Sequence, residues 1–253
     1  MATTLKQLVA FCNELLMPEK YRDYCPNGLQ VEGRQEISKI VTGVTASQAL
    51  LDAAVERQAD LVLVHHGYFW KGEPEPVTGI KKRRLKTLLS NDISLLAYHL
   101  PLDGHPELGN NAQLAERFDI EITGGLEPEN PLSIGLTGRL VTPLSVEQFG
   151  AKISASMERE ALHIAGGPAQ IKTVGWCSGA AQGYIDKAAA QGLDAYISGE
   201  ISEPTVHNAR ELGIHYFSAG HHATERYGVQ ALAERLVAEF DIEHEFVDID
   251  NPV

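Results

Sequence analysis

Two stretches of this chain, more than a hundred residues apart, lie on each other without a gap: Leu50-Leu-Asp-Ala-Ala-Val-Glu-Arg-Gln-Ala-Asp60 and Tyr184-Ile-Asp-Lys-Ala-Ala-Ala-Gln-Gly-Leu-Asp194. Each reads as a helix that runs into a short apolar segment, Leu61-Val-Leu-Val64 in one case and Ala195-Tyr-Ile-Ser198 in the other. Runs of branched aliphatics bounded by polar residues are the mark of a strand buried on both faces, as in a parallel sheet. Upstream, Ile40-Val-Thr-Gly-Val44 and Thr173-Val-Gly-Trp-Cys177 read as strands, matched by setting Gly175 opposite Gly43 with a small length difference before the helix. Ser47 is placed to cap the helix that follows the first of them. Downstream, Ile93-Ser-Leu-Leu-Ala-Tyr98 is a further strand, and Gly213-Ile-His-Tyr-Phe-Ser-Ala-Gly-His221 parallels Asn91 to His99. Strands alternating with helices predict an α/β fold. The repeat predicts two related α/β lobes, residues 1–125 and 126–253, with the C-terminal segment able to pack back on the first lobe.

Chemistry collects at the strand ends. His65-His66 follows the apolar run directly, where open α/β sheets place their ligands. Side chains alternate along a strand, so both imidazoles share a site only if the chain bends, and Gly67 permits that bend. The same register puts Gly199-Glu200 in the place of the dyad. His99-Leu-Pro-Leu-Asp103 and His221-His-Ala-Thr-Glu225 each set a carboxylate four positions after a histidine. The candidate metal ligands are therefore His65, His66, Asp103, His221 and Glu225. Three imidazoles and two carboxylates leave open positions for water or substrate, as in a catalytic site. Nitrogen and oxygen donors without a nearby thiolate suit zinc, manganese, iron or a similar divalent ion. His99 reads either as a sixth ligand or as a hydrogen-bond partner, and Glu200 either as a partner or as the acid-base residue; these two are the catalytic candidates.

Other residues have plainer readings. Pro101 biases Leu100 away from helix, so Asp103 is expected to reach inward from a turn. His222 is expected to point away from His221, exposed or touching substrate. Tyr68-Phe-Trp70 reads as packing, with base stacking as the alternative, and Lys81-Lys-Arg-Arg84 as a solvated helix face. His105, His163, His207, His215 and His244 lie outside the matched motifs. A net charge of -13 disfavours a duplex-DNA surface. Cys12, Cys25 and Cys177 form neither a disulfide framework nor a thiolate zinc motif. No apolar run approaches the ~20 residues that cross a bilayer, and the start shows no signal peptide; a cytoplasmic protein is expected.

Four segments together resemble the GTP cyclohydrolase I type 2 homologue family, also called Nif-three-like or YbgI-like dinuclear-metal proteins. They are Asp23-Tyr-Cys-Pro-Asn-Gly-Leu-Gln-Val-Glu-Gly33, Val64-His-His-Gly67, Tyr98-His-Leu-Pro-Leu-Asp103 and Gly220-His-His-Ala-Thr-Glu225. Gly67 stands where the family often has proline, and Thr224 where it often has serine; neither change removes a ligand. The resemblance implies two divalent cations per subunit, one on His66, Asp103 and Glu225, the other on His65, His221 and the shared Glu225. It also implies metal sites between two lobes, a toroidal homohexamer and a small-molecule substrate of nucleotide type. Two functional readings follow: a dimetal hydrolase, or a metal-dependent binding or regulatory protein without turnover.

Overall fold

Residues 3–253 are described by a computed structural model, and they form two compact α/β units. The first runs to Leu108 and takes up Gly228–Asp250; the second comprises Gly109–Tyr227 and Asn251–Val253. Residues 109–125, assigned to the first lobe from sequence, fall in the second unit, because the strand Ile120–Gly125 pairs antiparallel with Leu136–Ser145.

The first unit holds a five-stranded sheet in the order Glu243–Phe246, Lys39–Thr45, Leu61–His66, Ser94–Ala97, Gly28–Val31. The first four strands are mutually parallel and the last is antiparallel. Alternation along the strands divides the core in two. Ile40, Leu61, Leu63 and Leu96 face Leu5, Leu8 and Cys12 of the helix Leu5–Leu16, together with Val229, Leu232 and Leu236 of the helix Arg226–Glu239. Val41, Val62, Val64 and Leu95 face Leu50 and Ala54 of the helix Gln48–Glu56, together with Leu85 and Leu88 of Gly79–Ser90. Ser47 does cap its helix, accepting from the Leu50 amide at 3.3 Å.

The second unit holds a six-stranded sheet in the order Ile120–Gly125, Leu136–Ser145, Gln170–Cys177, Ala195–Ser198, His215–Ser218, Leu162–Ile164. Only Gln170–Cys177, Ala195–Ser198 and His215–Ser218 run parallel; the flanking strands are antiparallel. Helices cover both faces here too. Phe149, Ile153 and Met157 of Val146–Met157 lie on one, and Ile185, Ala188 and Ala209 of Ile185–Ala190 and Glu203–Leu212 on the other.

Hydrogen bonds fix how the two lobes correspond. The Asp60 amide donates to Lys39 O at 2.9 Å, and the Asp194 amide to Thr173 O at 3.1 Å. Their carboxylates repeat the same clamp. Asp60 Oδ2 accepts from the Ser38 and Lys39 amides and the Ser38 hydroxyl; Asp194 Oδ2 accepts from the Lys172 and Thr173 amides and the Thr173 hydroxyl. Thr173 is thus the counterpart of Lys39 with the same offset as Asp194 from Asp60. Gly175 therefore stands opposite Val41, not Gly43, and no length difference is needed before the helix. At the third strand, Tyr98 donates to Val64 O and Ala219 to Ser198 O. That makes Gly220, not His221, the counterpart of His99. The two histidine–carboxylate motifs are one residue out of step.

Candidate metal centre

In the first lobe the dyad ends the strand Leu61–His66, and His65 is fully buried. Its Nδ1 lies 2.9 Å from Tyr98 O. A carbonyl oxygen only accepts, so Nδ1 carries the proton and Nε2 is the ring nitrogen left to meet a ligand. That Nε2 lies 3.5 Å from Asp103 Oδ1. A ring nitrogen and a carboxylate set face to face are a pair of donors that a cation could join. His66 Nδ1 is 3.1 Å from the Thr45 hydroxyl, and the two rings meet at 4.7 Å between centroids. Gly67 makes this approach possible by its bareness: a Cβ there would sit 2.2 Å from Gln30 Oε1 and 2.6 Å from Ala97 Cβ. Asp103 is buried on a short helix, Leu100–Gly104, with Pro101 in its first turn. This replaces the expected turn, since proline is tolerated where the amide has no helical acceptor. The imidazole recorded against Asp103 is that of His65.

His99 joins this group, its ring centroid 5.0 Å from that of His65, 5.7 Å from that of His66 and 5.0 Å from that of Trp70. One ring nitrogen from each of the three histidines lies within 4.8 Å of the others. His99 Nδ1 is 2.7 Å from Asp23 Oδ1. Asp23 also accepts from the Tyr24 and Leu100 amides and from Asn27 Nδ2. Burial opposes ionisation of Asp23, but the bonds from His99, Asn27 and Tyr24 outweigh it and hold its pKa at about 2. Cys25 is near enough to Asp23 and His99 for the three to form a candidate ligand group. Burial and the Asp23 charge push the Cys25 thiol up to about 12, so it stays protonated, and the Asp23 oxygens are taken. That trio is a hydrogen-bonded anchor for His99 and a poor metal site.

In the second lobe His221 opens the short helix His221–Thr224, and Glu225 follows it. His221 Nδ1 is 2.6 Å from Glu200 Oε1, and its Nε2 is 3.2 Å from Glu225 Oε2. Burial depresses the His221 pKa, yet Glu225 and Glu200 outweigh burial and raise it to about 9. Glu225 is buried. Gly179, at φ +64°, leaves the space that the carboxylate fills: a Cβ there would lie 2.3 Å from Glu225 Oε1 and 3.2 Å from His221 Nε2. The Thr224 hydroxyl ties the turn together, accepting from the Gly179 amide at 3.1 Å and lying 2.8 Å from Gly220 O. His222 is buried instead of exposed; its amide donates to Val253 O.

The matching of this whole architecture to known proteins is extensive. A family model described as Duf34/NIF3 (NGG1p interacting factor 3) matches residues 3–252. The chain belongs to that family. A Pseudomonas aeruginosa protein named "GTP cyclohydrolase 1 type 2 homolog" is 60% identical over 253 residues, covering 100% of both chains. A solved structure titled "protein ybgI, unknown function" is 50% identical with a TM-score of 0.95, covering 99% of this chain and 100% of the other. The solved structure of a Thermus thermophilus protein, TTHA1606, is 31% identical with a TM-score of 0.90, again over 99% and 100%.

In this Duf34/NIF3 member the first lobe gathers His65, His66, His99 and Asp103, and the second gathers Glu200, His221 and Glu225. Sequence reasoning passed over Thr45, the Tyr98 carbonyl and Gly179. The first two carry no signal of their own, being a strand hydroxyl and a backbone atom. Gly179 stands opposite Thr45 in the corrected register, and a glycine beside a ligand-bearing turn is the cue that was there to read. Tyr68 packs as expected, donating to Ala46 O, whereas Trp70 turns its ring to within 5.9 Å of His66. Among the described residues no helix is long and apolar enough to cross a membrane.

Proposed function

We propose that the protein holds a dinuclear metal centre and is a metal-dependent hydrolase acting on a nucleotide or related small molecule. One observation carries the reading. In each lobe an imidazole has its Nδ1 fixed by an oxygen acceptor while its Nε2 confronts a buried carboxylate, His65 with Asp103 and His221 with Glu225. Imidazoles bound to metal through one nitrogen characteristically donate from the other to a carbonyl or carboxylate. The donor set therefore fits two divalent cations. His65, His66, Asp103, His221 and Glu225 are the residues that would hold them. Divalent ions so held polarise a scissile bond and lower the pKa of coordinated water.

The chain's own groups do the rest. Tyr98 O and Glu200 hold Nδ1 of His65 and His221, which would leave Nε2 of each to coordinate an ion in place of a proton. Thr45 orients His66. Glu200 thereby acts as a positioning residue and not as the acid-base group. Burial of His65, Asp103 and Glu225 keeps bulk water from competing for the charges. A homo-oligomer, the toroidal hexamer of the resemblance, and a cytoplasmic setting belong to the same reading.

The test is turnover by protein reconstituted with zinc, manganese or iron, across a panel of nucleotides, phosphoesters and peptides, with His65→Ala as control. Metal-dependent turnover abolished by His65→Ala supports a hydrolase. Two bound ions with no turnover across the panel would instead support the binding or regulatory reading. Light scattering at known concentration checks the oligomer.

A further inference from the structure

His65 and His221 share a signature that His99 only half repeats. All three have Nδ1 held by an oxygen, and for His99 that oxygen belongs to Asp23 at 2.7 Å. In His65 and His221 the second nitrogen then meets a carboxylate, at 3.5 and 3.2 Å. The carboxylate of His99 lies on its Nδ1 side, while the neighbours of its ring are His65, His66 and Trp70. With Nδ1 committed to Asp23, Nε2 is the ring nitrogen left to meet a ligand.

We infer that His99 is a ligand-contacting residue that makes a hydrogen bond through Nε2 to the molecule entering beside the ions, water in the resting protein, and that Asp23 is the residue that positions it. The inference rests on the dinuclear reading above. The Asp23 side of the arrangement is rigid. Its carboxylate is held by four donors from two segments: Tyr24 and Asn27 in one, and in the other the His99 ring and the Leu100 amide that starts the helix bearing Asp103. Trp70 limits the ring from the other side in an edge-on contact at 82°, and is itself pinned through Nε1 to Gly67 O at 3.1 Å. A side chain fixed on both flanks is pre-organised for a ligand. The second lobe has no equivalent, since its counterpart position is Gly220.

The experiment uses the full chain and zinc alone. Elemental analysis and competitive titration are run on wild type, His99→Ala and His99→Gln, and the zinc-loaded wild type is solved crystallographically. The expected result is two ions in all three proteins, with metal affinities shifted by less than about tenfold, the lower end of what loss of a ligand-orienting partner costs. In the crystal, a water or ligand atom lies within about 2.7–3.2 Å of His99 Nε2, a hydrogen-bond distance. Loss of one ion in both variants, or direct zinc–nitrogen bonding at about 2.0–2.1 Å, makes His99 a metal ligand and overturns the inference. So does a His99 edge with no water or ligand near it. Wild type that binds no zinc sinks the dinuclear reading itself, a separate failure. For Asp23, two-bond 1H–15N spectra of Asp23→Asn should show His99 losing its Nδ1–H tautomer while His65 keeps its own. An unchanged His99 tautomer would remove Asp23 from the positioning role.

Discussion

The two lobes carry the same frame and different chemistry. Asp60 and Asp194 clamp the start of a neighbouring strand through the same three kinds of donor, two amides and a hydroxyl. At the far ends of the strands that follow, the equivalence stops. His65-His66 stands where the second lobe has Gly199-Glu200, and His99 where it has Gly220. The first lobe thus supplies most of the imidazoles, and the second supplies Glu200 and Glu225 with a single imidazole. A repeated α/β unit keeps the end of the sheet that sets strand register and diverges at the carboxyl end, where ligands bind.

The sharpest test of that division is Glu225. If it serves both ions, Glu225→Gln should remove both together in elemental analysis, with affinity losses of at least about 100-fold, above the usual loss for an outer partner. His66→Ala should empty mainly one site and His222→Ala should leave both filled. Equal losses in all three would end the division of labour proposed here. Next in size is Glu200→Gln, expected to weaken zinc binding by roughly 10–100-fold, because the amide holds the His221 tautomer less firmly. Unchanged affinity would show that Glu200 does not orient His221.

Gly179→Ala probes the pocket in the second lobe. The added methyl meets Glu225 Oε1 at 2.3 Å on a backbone at φ +64°. A loss of about 1–3 kcal/mol in urea unfolding is expected, from strain at a left-handed position and displacement of the carboxylate. Thr45→Ala, at the matching place in the first lobe, should cost less. The smallest effects should be the most alike: Asp60→Asn and Asp194→Asn, each about 1–2 kcal/mol for weakened bonds to buried donors. Costs differing severalfold would mean that the clamps are not equivalent. Burial opposes ionisation of Asp60, but bonds from Ser38 and Lys39 and the Arg34 charge hold its pKa below the ordinary value. Its contribution is therefore full above pH ~4, the unfolded carboxylate pKa, and fades as the pH falls through the lower folded value. Asp60→Asn should flatten the acid limb of stability measured by circular dichroism.

The sequence disclosed the α/β alternation, the lobe repeat and the dyad, because buried strands and capped helices leave periodic traces. It misled where chemistry was used to set register. Aligning Gly175 with Gly43, and His221 with His99, matched residue types that the ladder separates by two positions and by one. The clamp residues Asp60 and Asp194 would have given the right offset, but an aspartate bonded to backbone looks like any other aspartate before the strand partner is known. The tautomer of His65 is set by a carbonyl, which has no letter in the sequence at all.

The helix Arg226–Glu239 and the strand Glu243–Phe246 complete the first lobe from the far end of the chain. Val229, Leu232 and Leu236 cover the face of its sheet that Ile40, Leu61 and Leu63 present, and Glu243–Phe246 pairs with Lys39–Thr45. On a ribosome, where chains emerge amino end first, the lobe whose residues emerge earliest is the one that must wait longest. Until residues 226–246 are released, one side of its sheet keeps an open edge and bare aliphatics, while the later-made lobe already has every strand of its own sheet. Nascent chains halted once Tyr227 has emerged should therefore draw chaperones to the amino-terminal lobe, and the lobe that carries the histidine dyad would be finished only once Glu243–Phe246 has emerged.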